Sequence, residues 1–358
     1  MIYLVDNIGT ETGVHLYNSM FYENFKKSGR NNLILSNYAD KHTKKLVYNF
    51  YHGNTLQKGI LFVCSPIRLF LFSFCHGADT FIYQSFGLRK IDQMFILVIR
   101  CKNKYVLVHD IFDIKDAVDE EVNKKKIDFY KKYIHQIICH SKRTEKDLRA
   151  IGFEGKIVYF PHFQYNYDEQ MKAFKENNVG EDVKNSVVKG KYNFLFFGQV
   201  RESKGINVVL ESLEYLDGLD NLNVIVAGTD KQKLVNVCDA NRQKNVLRYI
   251  NNDEMMYLYS QCDYVLLPYK EVYQSGVMES MLYFKKPGIM SDVEYFAQIG
   301  ERYPSFGIVY SPNNASSLAA VIKDICNGLY DLHEFYRTDD VESYNETHDV
   351  TRVISKEF

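Results

Sequence analysis

Paired cysteines are missing from this chain. Its seven cysteines (Cys64, Cys75, Cys101, Cys139, Cys238, Cys262 and Cys326) are odd in number, scattered along 358 residues and never form a C-x-x-C pair. That argues against both a disulfide framework and a structural zinc site, and predicts a reducing compartment. A membrane span is missing too: the most apolar stretch, residues 60–74, is interrupted by Cys64, Ser65, Pro66, Arg68 and Ser73 and falls short of the ~20 apolar residues that cross a bilayer. The opening MIYLVDN has no cationic segment leading into a long apolar run, so it reads as a first strand rather than a secretion signal. No nucleic-acid recognition motif occurs. Charge of one sign is also lacking, with 44 Lys+Arg against 45 Asp+Glu.

The remaining composition is ordinary for a folded protein. Hydrophobic residues make up 46% and charged residues 25%, which excludes disorder, collagen-like sequence and low-complexity scaffolds as descriptions of the whole chain. At ~150 residues per domain the length predicts about two domains, each able to bury a full core. The near-zero net charge conceals an asymmetry. Residues 1–165 hold 24 Lys+Arg and 16 Asp+Glu, net +8, and the remainder holds 20 and 29, net −9. Surface charge drifts by chance in many proteins, but two halves of opposite sign also fit two different partners.

Short apolar runs alternate with helical patterns throughout, the signature of βα units around a parallel sheet. The first half offers strands at residues 2–6, 33–36, 60–64, 80–84, 105–109, 136–140 and 156–160, with amphipathic helices at 14–27 and 120–133. The second half offers strands at 193–197, 223–227, 246–250, 264–267, 288–290 and 307–310. Residues 164–191, rich in Asn, Lys, Glu and Tyr, read as a linker region, and beyond Gly328 the pattern decays into a polar tail. The expected organisation is two Rossmann-like doubly wound domains, 1–170 and 171–330, facing a central cleft. A tail, 331–358, is expected to pack back on the first. Such sheets bind ligands beyond the carboxyl ends of their strands.

Two segments carry chemistry. In FLFFGQVRESKGINVVLESL, residues 194–213, an apolar strand runs into Gly198, then Arg201, Lys204, Gly205 and a helix. A glycine lets backbone approach a ligand, and two cations beside uncovered N–H groups suit a phosphate or diphosphate. Basic residues on a βα loop are also common for no functional reason. In LLPYKEVYQSGVMESMLYFKKPGIMSD, residues 266–292, a loop with Tyr269, Lys270 and Glu271 leads to Gln274, Ser275 and Gly276 at a helix start, a second place where uncovered N–H groups face an anion. Glu271 and Glu279 are spaced so that one sits in the loop and the other about one turn into the helix. His109 ends a strand, where a cleft-facing group is expected. His140 and His162 also follow strands, and a lone histidine is often purely structural.

Together these blocks resemble the family 4 glycosyltransferases of the GT-B type. The resemblance rests on Gly198, Arg201, Lys204 and Gly205, on VIVAG at 224–228, on the segment 249–269, and on the QSGV and KPGIMSD blocks; more loosely it takes in Gly9 and Gly13, YVLVHD at 105–110, IICHSKRTEKDL at 137–148 and VYFPHF at 158–163. It implies an acceptor-side first domain and a nucleotide-sugar-binding second domain. Arg201 and Lys204 bind the donor diphosphate, Glu271 faces the donor sugar and Glu279 holds the ribose; Gly198, Ile250, Ser275 and Gly276 join the donor site. His109 contacts the donor sugar or the reacting centre, and Gly13 lies in an acceptor-side loop. Glu279 lies eight residues before Pro287 where many members have seven, which leaves Ser280 as an alternative at the ribose.

No D-x-D triad occurs, so neither a metal nor another cofactor is expected, and the basic loops must neutralise the leaving group. The implied activity is retaining transfer of a sugar from a nucleotide-diphosphate donor to a glycan or lipid-linked hydroxyl acceptor, in cell-surface polysaccharide or glycolipid synthesis. The alternative is a non-catalytic GT-B-like partner subunit of another transferase. The implied location is cytoplasmic and peripheral to the inner face of the membrane. Lys124, Lys125, Lys126, Lys131 and Lys132 beside Phe129, Tyr130 and Tyr133 offer a helix for an anionic bilayer, although Lys-rich helices are commonly just solvated.

Overall fold

The computed structural model describes residues 1–9, 14–47, 55–111, 120–236 and 241–358. It divides into two compact units, one of Met1–Phe163 with His348–Phe358 and one of Gln164–Thr347. The polar tail is therefore shared between them. Its last stretch contributes Val350 and Ile354 to a core cluster of the first unit with Phe21, Phe25 and Phe160. The preceding stretch, including the helix Thr338–Thr347, belongs to the second unit.

The first unit is built on a parallel sheet of β1 (Ile2–Val5), β2 (Asn32–Ser36), β3 (Thr43–Lys45), β4 (Thr80–Phe86), β5 (Asn103–Asp110), β6 (Gln136–Cys139) and β7 (Lys156–Tyr159). Among the described residues its order is β3-β2-β1-β4-β5-β6-β7. The second unit holds β8 (Tyr192–Phe197), β9 (Leu222–Ala227), β10 (Gln243–Val246), β11 (Tyr264–Leu267), β12 (Gly288–Ser291) and β13 (Gly307–Tyr310), in the order β10-β9-β8-β11-β12-β13. Helices cover both faces of such sheets, so central strands read as nearly continuous apolar runs. β9 and β11 are buried at every position.

Strand order reverses between β1 and β4 in the first sheet and between β8 and β11 in the second. These are the switch points at which loops diverge and leave a crevice above the carboxyl ends. In the second unit the loop with Gly198 follows β8 and the loop with Glu271 follows β11, so the two segments singled out in the sequence flank one switch point.

The sequence reading needs correction at three strands and one helix. Residues 60–64 lie within a long helix, Thr55–Cys75, rather than a strand. Their run is apolar because the helix carries apolar residues on its outer side as well as its inner one. The edge strand β3, TKK, carries no apolar signal and was not foreseen. β10 lies at Gln243–Val246 instead of 246–250, its polar first residues masking its start. On the helix Glu120–Tyr133, Lys126 is buried and donates from Nζ to the carbonyl of Gly87 at 2.6 Å, and Phe129 and Tyr130 are buried in the core. Only Tyr133 of the three aromatics is exposed, under Lys132 at 5.0 Å from the ring centre. The expected pairing of lysines with aromatics on one outer face therefore fails.

Candidate functional site

The site in the second unit begins where β8 ends. Gly198 has φ +102°, and a β-carbon there would sit 3.1 Å from Lys204 Nζ and 3.7 Å from Val277 Cγ2. A side chain at that position would occupy the space the lysine uses, which explains the glycine physically. Gly198 N–H donates to Ala227 O at 2.9 Å and Val200 N–H to Thr229 O at 3.0 Å, tying the loop to the end of β9. Arg201 is exposed and donates to Gln199 Oε1. Residues Glu202–Lys204 make one tight 3-10 turn, closed by Gly205 at φ +72°. Gly205 passes so close to Pro268 that a β-carbon would overlap the Pro268 carbonyl oxygen.

This loop meets the one after β11. Lys270 N–H donates to Ser203 O at 2.9 Å, and Lys204 Nζ lies 5.4 Å from the centre of the buried Tyr269 ring. Tyr269 is held in turn through its carbonyl, which accepts from Ser291 Oγ at 2.6 Å and Asn313 Nδ2 at 2.9 Å. The ring face gives the ammonium an electrostatic rest without neutralising it. Glu271 is exposed two residues further along.

The loop then enters the helix Gly276–Tyr283. Ser275 caps it, accepting from Met278 N–H at 3.2 Å, and the hydroxyl of Tyr165 lies 2.9 Å from where a Gly276 β-carbon would be. Gly198, Lys204, the Tyr269–Glu271 loop and the helix start at Gly276 and Val277 are thus neighbours. Ile250 is buried just beyond the end of β10, and β9 lies between β10 and β8.

Glu279 is buried, its Oε1 accepting from Tyr344 Oη at 2.9 Å, in a cavity also lined by Tyr165, Tyr283, Phe306 and Tyr336. Burial pushes its carboxyl up to about 8, against the opposing pull of the Tyr344 hydroxyl. Ser280, the alternative at the ribose, is buried too, with its hydroxyl 2.7 Å from Tyr167 Oη and donating to Gly276 O at 3.0 Å. Tyr269 stands in the loop the sequence singled out, but its place under Lys204 was not foreseen, nor was the contact of Tyr344 with Glu279. Tyr344 lies in a segment whose polarity suggested a loose tail, and the one available signal was its aromatics, Tyr336 and Tyr344, within that tail.

The raised carboxyl of Glu279 has a consequence for stability. Below about 4.5, the ordinary value, it is protonated whether the chain is folded or not. Between about 4.5 and 8 the folded chain keeps a proton that the unfolded chain releases, so stability falls as pH rises through that window. Glu279→Gln removes the titration while leaving an acceptor for Tyr344. Thermal unfolding at pH 5 and pH 8 should therefore show a smaller alkaline loss in the variant, a difference on the order of a few kcal/mol at about 1.4 kcal/mol per pKa unit. Equal losses in the two proteins would contradict the burial account.

In the first unit the carboxyl ends of three adjacent strands carry His109, His140 and His162, all buried. Ring centres lie 5.2 Å apart for His109 and His140 and 5.3 Å for His140 and His162. Tyr17, on the helix Val14–Lys27, meets all three edge-on. His140 Nδ1 donates to Phe160 O at 2.8 Å, leaving Nε2 to accept from Tyr17 Oη at 3.0 Å. His109 stacks on Phe86 at 4.3 Å. Burial, reinforced by neighbouring imidazoles, lowers His140 to about 3 and holds His109 well below the usual histidine range; burial also lowers His162, to about 4. The rings are therefore neutral near pH 7. Among the described residues no three His, Cys, Asp or Glu side chains are grouped to hold a metal ion.

At the switch point of the same sheet, buried Asp6 accepts from the N–H groups of Ile8 at 2.8 Å and Gly9 at 3.1 Å, from Asn18 Nδ2 at 2.9 Å and from Ser36 Oγ at 3.1 Å. Burial raises this carboxyl while the four hydrogen bonds oppose the rise. It fixes the turn at Ile8 and Gly9 that follows β1. Gly13, the residue singled out there, lies outside the described residues.

Residues 179–336 match the family described as Glycosyl transferases group 1. No curated protein matches the chain in sequence. In fold it is similar to sucrose-phosphate synthase from Thermosynechococcus elongatus, at TM-score 0.68 and 14% identity, covering 99% of this chain and 96% of that one. It is similar also to HepE of Anabaena solved with UDP and glucose, at TM-score 0.65 and 14% identity, covering 99% and 97%. A third is the α,α-trehalose 6-phosphate synthase of Burkholderia multivorans, at TM-score 0.68 and 9% identity, covering 99% and 96%.

Proposed function

We propose that this chain, whose residues 179–336 belong to the group 1 glycosyl transferases and whose two parallel sheets have the GT-B fold, moves a sugar from a nucleotide-diphosphate donor to a hydroxyl acceptor with retention of anomeric configuration. The observation that carries this reading is the meeting of two loops at the β8/β11 switch point, with Lys204 braced between Gly198 and the Tyr269 ring. When the bond between sugar and phosphate breaks, negative charge grows on the departing diphosphate. Arg201, Lys204 and the N–H groups at the start of the helix Gly276–Tyr283 are fixed donors for that charge, and fixed donors cost little reorganisation during reaction.

In this reading Glu271 faces the donor sugar and Glu279 serves the ribose, while Gly198, Ser275 and Gly276 complete the diphosphate site and Ile250 contributes at the donor. His109 acts at the sugar or the reacting centre, where a neutral imidazole gives and receives hydrogen bonds without attracting the diphosphate. Gly13 belongs to the acceptor loop. The acceptor is a glycan or a lipid-linked glycan of cell-surface polysaccharide or glycolipid synthesis. The setting is the cytoplasm, supported by six described cysteines that are all free thiols. Among the described residues no helix is long and apolar enough to cross a membrane.

Two similar structures were solved with UDP, that of Anabaena HepE and that of S. aureus MnaA. UDP therefore heads a thermal-shift panel with GDP, ADP and CDP. A nucleotide bound only by the folded chain, at a hundred times its Kd, stabilises by ~2.7 kcal/mol, which raises the unfolding temperature by several degrees. UDP is expected to give the largest shift. No shift from any of the four would overturn the proposal. Binding without sugar transfer or donor hydrolysis would favour the non-catalytic partner subunit instead.

A further inference from the structure

The long helix Thr55–Cys75 leaves an unusual face uncovered. Ile60, Val63, Ile67, Leu71 and Phe74 are 54%, 58%, 53%, 55% and 69% exposed, and Phe70 is exposed between them. Their spacing of three and four residues draws one continuous apolar stripe along the helix. The inner side is already satisfied: Leu69 is fully buried in the core, Ser65 and Ser73 are buried, and Phe72 meets Tyr3 at 5.2 Å. The outer stripe is therefore not a core face that happens to show.

Between Asp40 and Asp79, the latter paired with the N-terminal ammonium at 3.0 Å, the charge has one sign. Residues 41–78 contain Lys41, Lys44, Lys45, Lys58 and Arg68 and no Asp or Glu. Arg68 Nη2 donates to Lys45 O at 3.1 Å, and two further cationic residues reach the end of the helix through their backbone, Arg100 N–H donating to Ser73 Oγ at 2.9 Å and Lys102 N–H to Gly77 O at 2.8 Å. Lys45, Arg100 and Lys102 are exposed. An apolar stripe bordered by cations is the pattern of a helix that lies in the interface of an anionic bilayer, its apolar side among the acyl chains and its cations at the headgroups. A second copy of the chain fits less well, because two-fold pairing would bring the same cationic border against itself with no acid in the segment to answer it.

We propose that the Thr55–Cys75 helix is an in-plane docking surface for an anionic membrane. The lysine-rich helix Glu120–Tyr133 does not serve, since Phe129 and Tyr130 are turned into the core. This inference stands on exposure and charge, independently of the sugar-transfer reading, and no nucleotide enters its test.

The full chain is incubated with vesicles of equal parts phosphatidylcholine and phosphatidylglycerol, or of phosphatidylcholine alone, and floated at low and high salt. Wild type is expected to float with the anionic vesicles, less with the neutral ones, and to keep part of its binding at high salt. The double variant Leu71→Asp/Phe74→Asp is expected to lose binding by about tenfold or more at an unchanged unfolding temperature. If the aspartates lower that temperature, Leu71→Ser/Phe74→Ser replaces them and is expected to weaken binding in the same direction. Failure of wild type to float with anionic vesicles overturns the proposal, as does a well-folded variant that binds as wild type does. A wild-type dimer in solution that the same variants dissociate would assign the face to a second copy.

Discussion

If the chain transfers sugar as proposed, Lys204→Ala and Arg201→Ala are each expected to lower kcat/KM for the donor about 100-fold or more while leaving the unfolding temperature close to that of wild type. In the proposed reaction the two side chains donate to charge that develops as the diphosphate departs, and removing such a donor costs about 10²–10³ in rate. The stability result follows from the positions of the two side chains. Arg201 is exposed and Lys204 only half-buried, resting on the Tyr269 ring at 5.4 Å, a contact of about 0.5–1 kcal/mol at exposed sites. Most of the loss should fall on kcat, because the charge is greater in the transition state than in the bound donor. Steady-state rates with the sugar nucleotide of the base chosen by the thermal-shift panel check this. Rates within threefold of wild type in both variants would remove the two cations from the mechanism.

Gly205→Ala is the second large effect, and it works through the backbone. The residue holds φ +72°, a left-handed conformation that costs an L-residue with a β-carbon roughly 1–2 kcal/mol. The added carbon would also overlap the carbonyl oxygen of Pro268, and overpacking adds about 1–3 kcal/mol. Relief requires the loops after β8 and β11 to part, breaking the bond from Lys270 N–H to Ser203 O. A lowered unfolding temperature together with weakened nucleotide binding is expected. Calorimetry with and without the chosen nucleotide measures both, and a variant as stable as wild type would mean that the close approach does not exist in solution.

The two sheets were legible because buried parallel strands write themselves as short apolar runs, as in FLFF of β8 and VIVA of β9. Legibility failed where burial and apolarity part company. The run at 60–64 looked like a strand because an exposed helical face happens to be apolar there, and β3 was invisible because an edge strand of Thr and two lysines buries almost nothing. The loops of the candidate site were legible for a local reason: Gly198, Arg201, Lys204, Ser275 and Gly276 sit within a few residues of a strand end or a helix start, so sequence order already carries their geometry. Their supports were not. Tyr269 meets Lys204 through the fold, and Tyr344 reaches Glu279 from 65 positions away. A tail judged by average polarity hides single aromatic residues that insert into a core.

The return of residues 348–358 to the first unit bears on the order in which the chain is made. Val350 and Ile354 join its core, Phe358 meets Phe25 at 5.3 Å and Tyr105 at 5.0 Å, and Glu357 pairs with Lys156 at 2.6 Å. The first sheet is synthesised early, yet its last covering pieces follow the whole of residues 164–347. At ~5–20 residues per second on the ribosome, Phe25 and Tyr105 wait for tens of seconds without these partners. The nascent first unit is thus left with an open apolar seam, the kind of surface that holding chaperones cover, until the second unit has emerged.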